Sequence, residues 1–173
     1  MPASSYMCSL LCRQLMLLDE PKFLAQHPYA WLVWEPGKKV APASPAEHET
    51  STRIPDSKRL PDPANADALC FELKVEPDVD ARLTAGRSRE SDIVLDDMTV
   101  SREQFVLHHS EGYWAVLNAA GAKTSVDGVV AKHKPVVLQG RETITTGGLK
   151  LTFYLRKQIL ERLRAEIAAR STE

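Results

Sequence analysis

Little in this chain points to a bulk property that would explain it. Among its 173 residues, 22 Lys and Arg nearly balance 23 Asp and Glu, for a net charge of -1. Without a charge surplus there is no global field to hold nucleic acid or an anionic membrane, so any anion recognition must be local. Cysteine is scarce and odd in number: Cys8, Cys12 and Cys70. A disulfide framework in a short secreted chain uses an even count. No Cys/His cluster completes a metal site around Cys8 and Cys12, so free buried thiols in a reducing compartment are expected. Long hydrophobic runs are also missing. The apolar stretch from Tyr6 to Leu18 is too short to span a bilayer. It has no basic residue ahead of Arg13 and no small-residue cleavage site before Asp19, so it does not read as a signal peptide. A cytoplasmic location is the default expectation.

The composition that remains is ordinary for a globular protein, with 43% hydrophobic and 26% charged residues. Its punctuation is uneven. Six of the eleven prolines fall between Pro36 and Pro63, where apolar periodicity is absent, whereas seven of the eight glycines occur from Gly86 onward. Residues 36–66 therefore read as a mobile linker. Four parts follow: an N-terminal helix with an apolar strand segment (1–35), the linker (36–66), a sandwich (67–155) and a C-terminal amphipathic helix (156–173).

In the first part, residues 4–18 show helical spacing, with Met7, Leu10, Leu11, Leu15 and Leu18 on roughly one side. Lys22 to Gln26 adds a turn before Pro28. Tyr29 to Trp34 is short, aromatic and apolar, and it suits a buried strand or an anchor segment that lies on the sandwich or in a partner. After the linker, Ala68 to Val75 alternates at Leu69, Phe71, Leu73 and Val75. Further short strands are expected at 81–85, 93–95, 104–108, 113–117, 124–126, 135–138, 143–145 and 149–155. No helix interrupts them, which excludes a parallel βαβ sheet. The pattern predicts an all-β fold, an antiparallel two-sheet β-sandwich, carrying an N-terminal helical extension and a C-terminal helix. In the last part Ile159, Leu160, Leu163 and Ile167 form one stripe, and Glu166 precedes Arg170 by four residues. This helix is expected to pack on its own domain, with a partner-binding role as the alternative.

The chemistry-bearing stretch is Ala85-Gly86-Arg87-Ser88-Arg89-Glu90-Ser91-Asp92-Ile93-Val94-Leu95, followed by Val100-Ser101-Arg102. Gly86 closes a strand at a turn, where a residue without Cβ is at ease. Arg87 and Ser88 stand in one loop, Ser101 and Arg102 at the end of another, and loops on a rigid sandwich are where recognition residues sit. Arginine offers a planar fork of donors that matches phosphate oxygens, and serine adds a hydroxyl. The alternative is purely structural: Arg87 could pair with Asp92, Asp96 or Asp97 and tie loops together, while Ser101 caps a turn.

Read together, these blocks resemble the signature of the forkhead-associated (FHA) domain. Trp114-Ala115-Val116, Val126-Asp127-Gly128 and Leu149 to Tyr154 are similar to that family's later strand, hairpin turn and closing strand. The resemblance covers about half the chain. It implies an FHA/SMAD-like sandwich that binds phosphothreonine on a peptide, an adaptor module in protein–protein signalling. The family's phosphate-binding arginine and serine carry over to Arg87 and Ser101, with Ser88 and Arg102 beside them. Two departures stand out. Gln104 occupies the place of a histidine that braces the binding loops, although glutamine keeps one donor and one acceptor. The run Asn118-Ala119-Ala120-Gly121-Ala122-Lys123-Thr124 is one residue shorter than the family's Ser-x-Asn-Gly-Thr region. Thr124 matches the threonine and Lys123 offers a compensating charge, but no residue clearly matches the peptide-holding asparagine. The alternative is a degenerate FHA-like scaffold that acts in assembly or partner docking without phosphate recognition.

The implied partner is a phosphorylated protein or peptide of the kind a Ser/Thr kinase produces, with no nucleic acid and no membrane; nothing fixes the oligomeric state. No catalytic residue, metal or cofactor is assigned. Gly121-Ala122-Lys123-Thr124 lacks the glycines of a phosphate loop, and His108 and His109 point to opposite faces of a strand. No nucleophile, base and orienter can be assembled, so no enzyme is expected. Thr50 and Thr52, in the linker, suggest self-regulation if phosphorylated, because a tether raises their effective concentration at the sandwich.

Overall fold

The computed structural model describes residues 3–36 and 67–171. The residues 37–66 of the expected linker, with Thr50 and Thr52, lie outside the described residues.

The chain builds β1 (Ser4–Met7), α1 (Cys8–Leu17), α2 (Glu20–Gln26), β2 (Ala30–Trp34) and β3 (Leu69–Leu73). There follow β4 (Ala81–Gly86), β5 (Ile93–Val94), β6 (Phe105–Ser110), β7 (Tyr113–Asn118), β8 (Thr124–Val126) and β9 (Val129–Val130). The last elements are β10 (Val136–Leu138), β11 (Thr143–Thr146), β12 (Leu149–Tyr154) and α3 (Gln158–Ser171). Among the described residues the strands form a seven-stranded sheet, β1-β3-β2-β12-β11-β8-β9, and a five-stranded sheet, β10-β7-β6-β4-β5. Every pairing is antiparallel except β4 with β5. The expected β-sandwich is thus present, with one parallel pair at its edge.

Two-residue hairpins set part of the register. Glu111-Gly112 and Asp127-Gly128 both have positive φ at each position (52°, 81° and 48°, 83°). That backbone twist matches the flanking strands, and it is why an acidic or amide residue followed by glycine marks such turns. β9, only two residues long, follows the second of these turns and was not anticipated from the sequence.

The strand Ala30–Trp34 lies inside the seven-stranded sheet, between β3 and β12. All five of its residues are buried. Ala30, Leu32 and Trp34 face the five-stranded sheet, in a core with Phe71, Phe105, Leu107, Trp114 and Phe153. Trp31 and Val33 face the other way, into a second core with Cys70, Leu11, Phe23, Ile159 and Leu163. A strand covered on both faces needs a continuous apolar run rather than an alternating one.

The second core lies between the outer face of the sheet and the three helices. The expected stripe of α3 is there: Ile159, Leu160 and Leu163 are buried, and Ile167 packs against them. The Glu166–Arg170 pair forms at 3.6 Å. Ion pairs fix the helix in place: Arg162 holds Glu35 with two bonds of 2.7 Å, and Arg164 meets Glu20. Hydrogen bonding to Glu35 keeps the Arg162 guanidinium firmly protonated against the opposing effect of its partial burial.

The N-terminus differs from its helical expectation. Residues 4–7 are a strand paired with β3, from Ser4↔Glu72 to Met7↔Leu69, and only Cys8–Leu17 are helical. The exposed backbone edge of β3 offers Ser4–Met7 a full ladder, and that tertiary pairing outweighs local spacing. The buried stripe of α1 is Cys8, Leu11, Cys12 and Leu15, whereas Leu10 is 45% exposed. Thiols count as apolar side chains here, which rotates the inward face away from the one drawn through leucines and methionine. The three cysteines are free and buried. The hydrogen bond to Cys8, with burial, raises the Cys70 thiol well above its usual pKa.

Candidate functional site

The end of the sandwich that carries Gly86 is built by strand register. Ala85 opposes Phe105 across β4 and β6, and Phe105 opposes Asn118 across β6 and β7. The end of β4, the start of β6 and the end of β7 therefore come level, and the loops that leave them share one end of the molecule.

Gly86 is needed there for closeness. It is not among the residues with positive φ, so the turn does not use glycine's dihedral freedom. A Cβ at this position would collide with the Arg102 carbonyl. The missing side chain lets the strand end lie directly against the 101–104 segment. Backbone bonds then lock the two together. The Arg87 N–H donates to the Ser101 carbonyl at 2.9 Å and the Ser88 N–H to the Arg102 carbonyl at 3.2 Å. The Arg87 Nε–H donates to the Val100 carbonyl at 3.1 Å, which aims the guanidinium along this loop.

Two of the carboxylates that might have neutralised Arg87 are engaged elsewhere. Asp92 accepts from the Thr84 N–H and hydroxyl, and Asp97 from the Thr99 N–H and hydroxyl. The 96–100 loop is anchored from the far sheet as well, because Gly148 N–H donates to Thr99 Oγ1 at 2.8 Å.

Gln104 is the hub of the site and is 2% exposed. Its Oε1 accepts from the Ser101 N–H at 2.9 Å. Its Nε2 donates to the Lys123 carbonyl at 2.9 Å and to Thr124 Oγ1 at 3.1 Å. Its backbone joins Ala85 and Ala119. One amide thus uses its donor and acceptor sides to tie the Ser101 loop to the 118–124 loop. Within the shorter loop, Asn118 Nδ2 donates to the Ala122 carbonyl, which holds the turn and commits that amide internally.

Arg87 and Ser88 are half-buried, and Ser101, Arg102 and Lys123 are exposed. These five share one loop end. Thr124 does not join them at the surface: it is fully buried, and its hydroxyl accepts from Gln104. Its placing among ligand-contacting residues is therefore corrected to a bracing position. Sequence reasoning placed Gln104 in the bracing position three residues after Ser101, but not the partners it joins, Lys123 and Thr124. It also missed His27 and Glu72, buried beneath the helices with Nδ1 2.9 Å from Oε2, for which no local motif exists. Among the described residues no cluster of His, Cys, Asp and Glu could hold a metal, and no helix is long and apolar enough to cross a membrane.

A rigid sandwich presenting cross-braced loops that carry exposed cations and hydroxyls is the architecture of an interaction module. Residues 83–147 match the family model of the FHA domain. Domains of this family are interaction modules. No curated protein matches the chain. Among solved structures, the FHA domain of an Arabidopsis thaliana hypothetical protein is 16% identical, covering 73% of this chain and 84% of that one with a TM-score of 0.47. An engineered FHA domain with a Myc-pTBD peptide is 17% identical over 73% and 91%, with a TM-score of 0.45. EmbR of Mycobacterium tuberculosis, in complex with a low-affinity phosphopeptide, is 23% identical over 43% of this chain, with a TM-score of 0.39. The matched part spans only 20% of that longer chain.

Proposed function

We propose that the chain is a phosphothreonine-peptide binding adaptor, acting in the cytoplasm in protein–protein signalling and not as an enzyme. The observation that carries this reading is the Gln104 bridge. It keeps the loop pair rigid where the family's histidine is absent, and so holds Arg87, Ser88, Ser101, Arg102 and Lys123 at one end with their charge facing solvent. Phosphate brings about -1.5 to -2 charges and three acceptor oxygens. Arg87 meets two of those oxygens through its fork, the Ser101 hydroxyl donates to another, and Lys123 adds a point charge. The FHA match over these loops supports the same reading. Preformed loops matter because a ligand then does not have to order them.

The test is calorimetric titration with phosphothreonine, phosphoserine and unmodified versions of a degenerate peptide pool. Preference for the phosphothreonine pool, lost in Ser101→Ala, is the expected outcome. Equal weak binding of all three pools sinks it.

The second reading is a scaffold that docks partners without phosphate. It is favoured by α1, which exposes Leu10, Met16 and Leu17, the last at 86%. Sedimentation of the wild type and a Met16→Ser/Leu17→Ser variant tests it for self-assembly: a larger species lost in the variant supports it, and monomers in both oppose it.

A further inference from the structure

The basic face at this end of the sandwich extends beyond the loops already described. Lys132-His133-Lys134 joins β9 to β10 and is exposed throughout. Both ends of the segment are fixed at the site. The Ala131 N–H donates to the Thr124 carbonyl at 2.9 Å, and Ala131 is 1% exposed. Beyond Pro135, Val136 stands opposite Val116 on β7, two residues from Asn118. The segment therefore crosses between the sheets at the Lys123 end, not at the opposite hairpin end.

Strand order turns this into a distance. The five-stranded sheet runs β10-β7-β6-β4-β5. Arg87 follows β4, Ser101 precedes β6, Lys123 follows β7, and Lys132 to Lys134 precede β10. The loops thus form a row. Neighbouring strands are about 4.8 Å apart, so the basic segment lies about 14 Å from the Arg87 loop, and an extended peptide covers that in about four residues. No carboxylate among the described residues forms an ion pair with Lys132 or Lys134.

We infer that Lys132, His133 and Lys134 form an accessory subsite that selects phosphopeptides carrying acidic residues about three to five positions from the phosphothreonine on one side. The inference rests on the reading of the Arg87 loop end as a phosphopeptide site. An extended ligand anchored at Arg87 and Ser101 and laid across Lys123 brings its acidic side chains over the lysines. The contacts are exposed, so they supply selectivity and salt dependence more than bulk affinity.

Fluorescence polarisation on the full chain tests it with three labelled phosphothreonine peptides: neutral flanks, Asp/Glu at the third to fifth positions after the phosphothreonine, and Asp/Glu at the same positions before it. One acidic peptide should bind about fivefold more tightly than the neutral one in low salt. Lys132→Ala/Lys134→Ala should erase that gain while leaving the neutral phosphopeptide unchanged. A gain that survives the double variant, or two acidic peptides that bind no better than the neutral one, overturns the inference while the phosphopeptide reading stands. Failure of every phosphopeptide, or equal binding of an acidic peptide without phosphate, overturns both.

Discussion

The two ends of this molecule's chemistry are built by opposite means. The helical layer over the seven-stranded sheet is held by apolar burial: Phe23, Trp31, Leu11, Ile159 and Leu163 are each fully covered. The loop end is held by directed bonds: Gln104, the Arg87 and Ser88 amides and Thr99 connect its segments. The first arrangement gives stability and has no need of exact angles. The second gives fixed positions to polar groups that remain facing water. Mutations should accordingly separate the two, with stability answering in one region and recognition in the other.

The largest effect is expected in the helical layer. Leu163→Ala removes a fully buried side chain and should cost about 3 kcal/mol in chemical denaturation, with phosphopeptide affinity unchanged. Arg87→Ala should reverse the pattern. Losing the fork should weaken phosphopeptide binding about a hundredfold, or about 2.7 kcal/mol, while the lost bond to Val100 takes about 1 kcal/mol from stability. If both variants lose stability and binding alike, the two regions are not separable. Gln104→Ala sits on the boundary. It strands the Ser101 N–H and the Thr124 hydroxyl, so denaturation should show a loss of about 2 kcal/mol, and affinity should fall about tenfold as the loops drift apart. Smallest is the effect of pH. A phosphate takes up its second proton near pH 6; below that it carries less charge, so affinity should weaken a few-fold from pH 7 to pH 5. A titration flat over that range would detach binding from phosphate charge.

The same contrast explains what was legible in the sequence. Alternation and Gly-containing turns mark the strands from Leu69 to Tyr154, β9 excepted, to within a residue or two, because sheet periodicity is local. The spacing from Gly86 to Arg102 marks the loops, because that pairing is set by nearby residues. The strand at Ser4–Met7 was hidden, since its partner Leu69–Glu72 lies more than sixty residues away and the local pattern favours a helix. The inward stripe of α1 was misplaced by treating Cys8 and Cys12 as incidental. Thr124 was read as a ligand-contacting residue, but whether a strand residue faces solvent or a buried amide depends on the neighbouring strand. Gln104 was legible as a residue able to brace the loops in place of histidine; which groups it joins emerges only once Ser101, Lys123 and Thr124 are brought around it.

The most direct test of the central claim is residue-resolved NMR titration of the full chain with a phosphothreonine peptide. The account predicts amide shifts confined to residues 86–104, 118–124 and the neighbouring 131–135 segment, absent with the unphosphorylated peptide and absent in Arg87→Ala. Phosphate-independent shifts centred on α1 and α3, with the Arg87 loop silent, would contradict it.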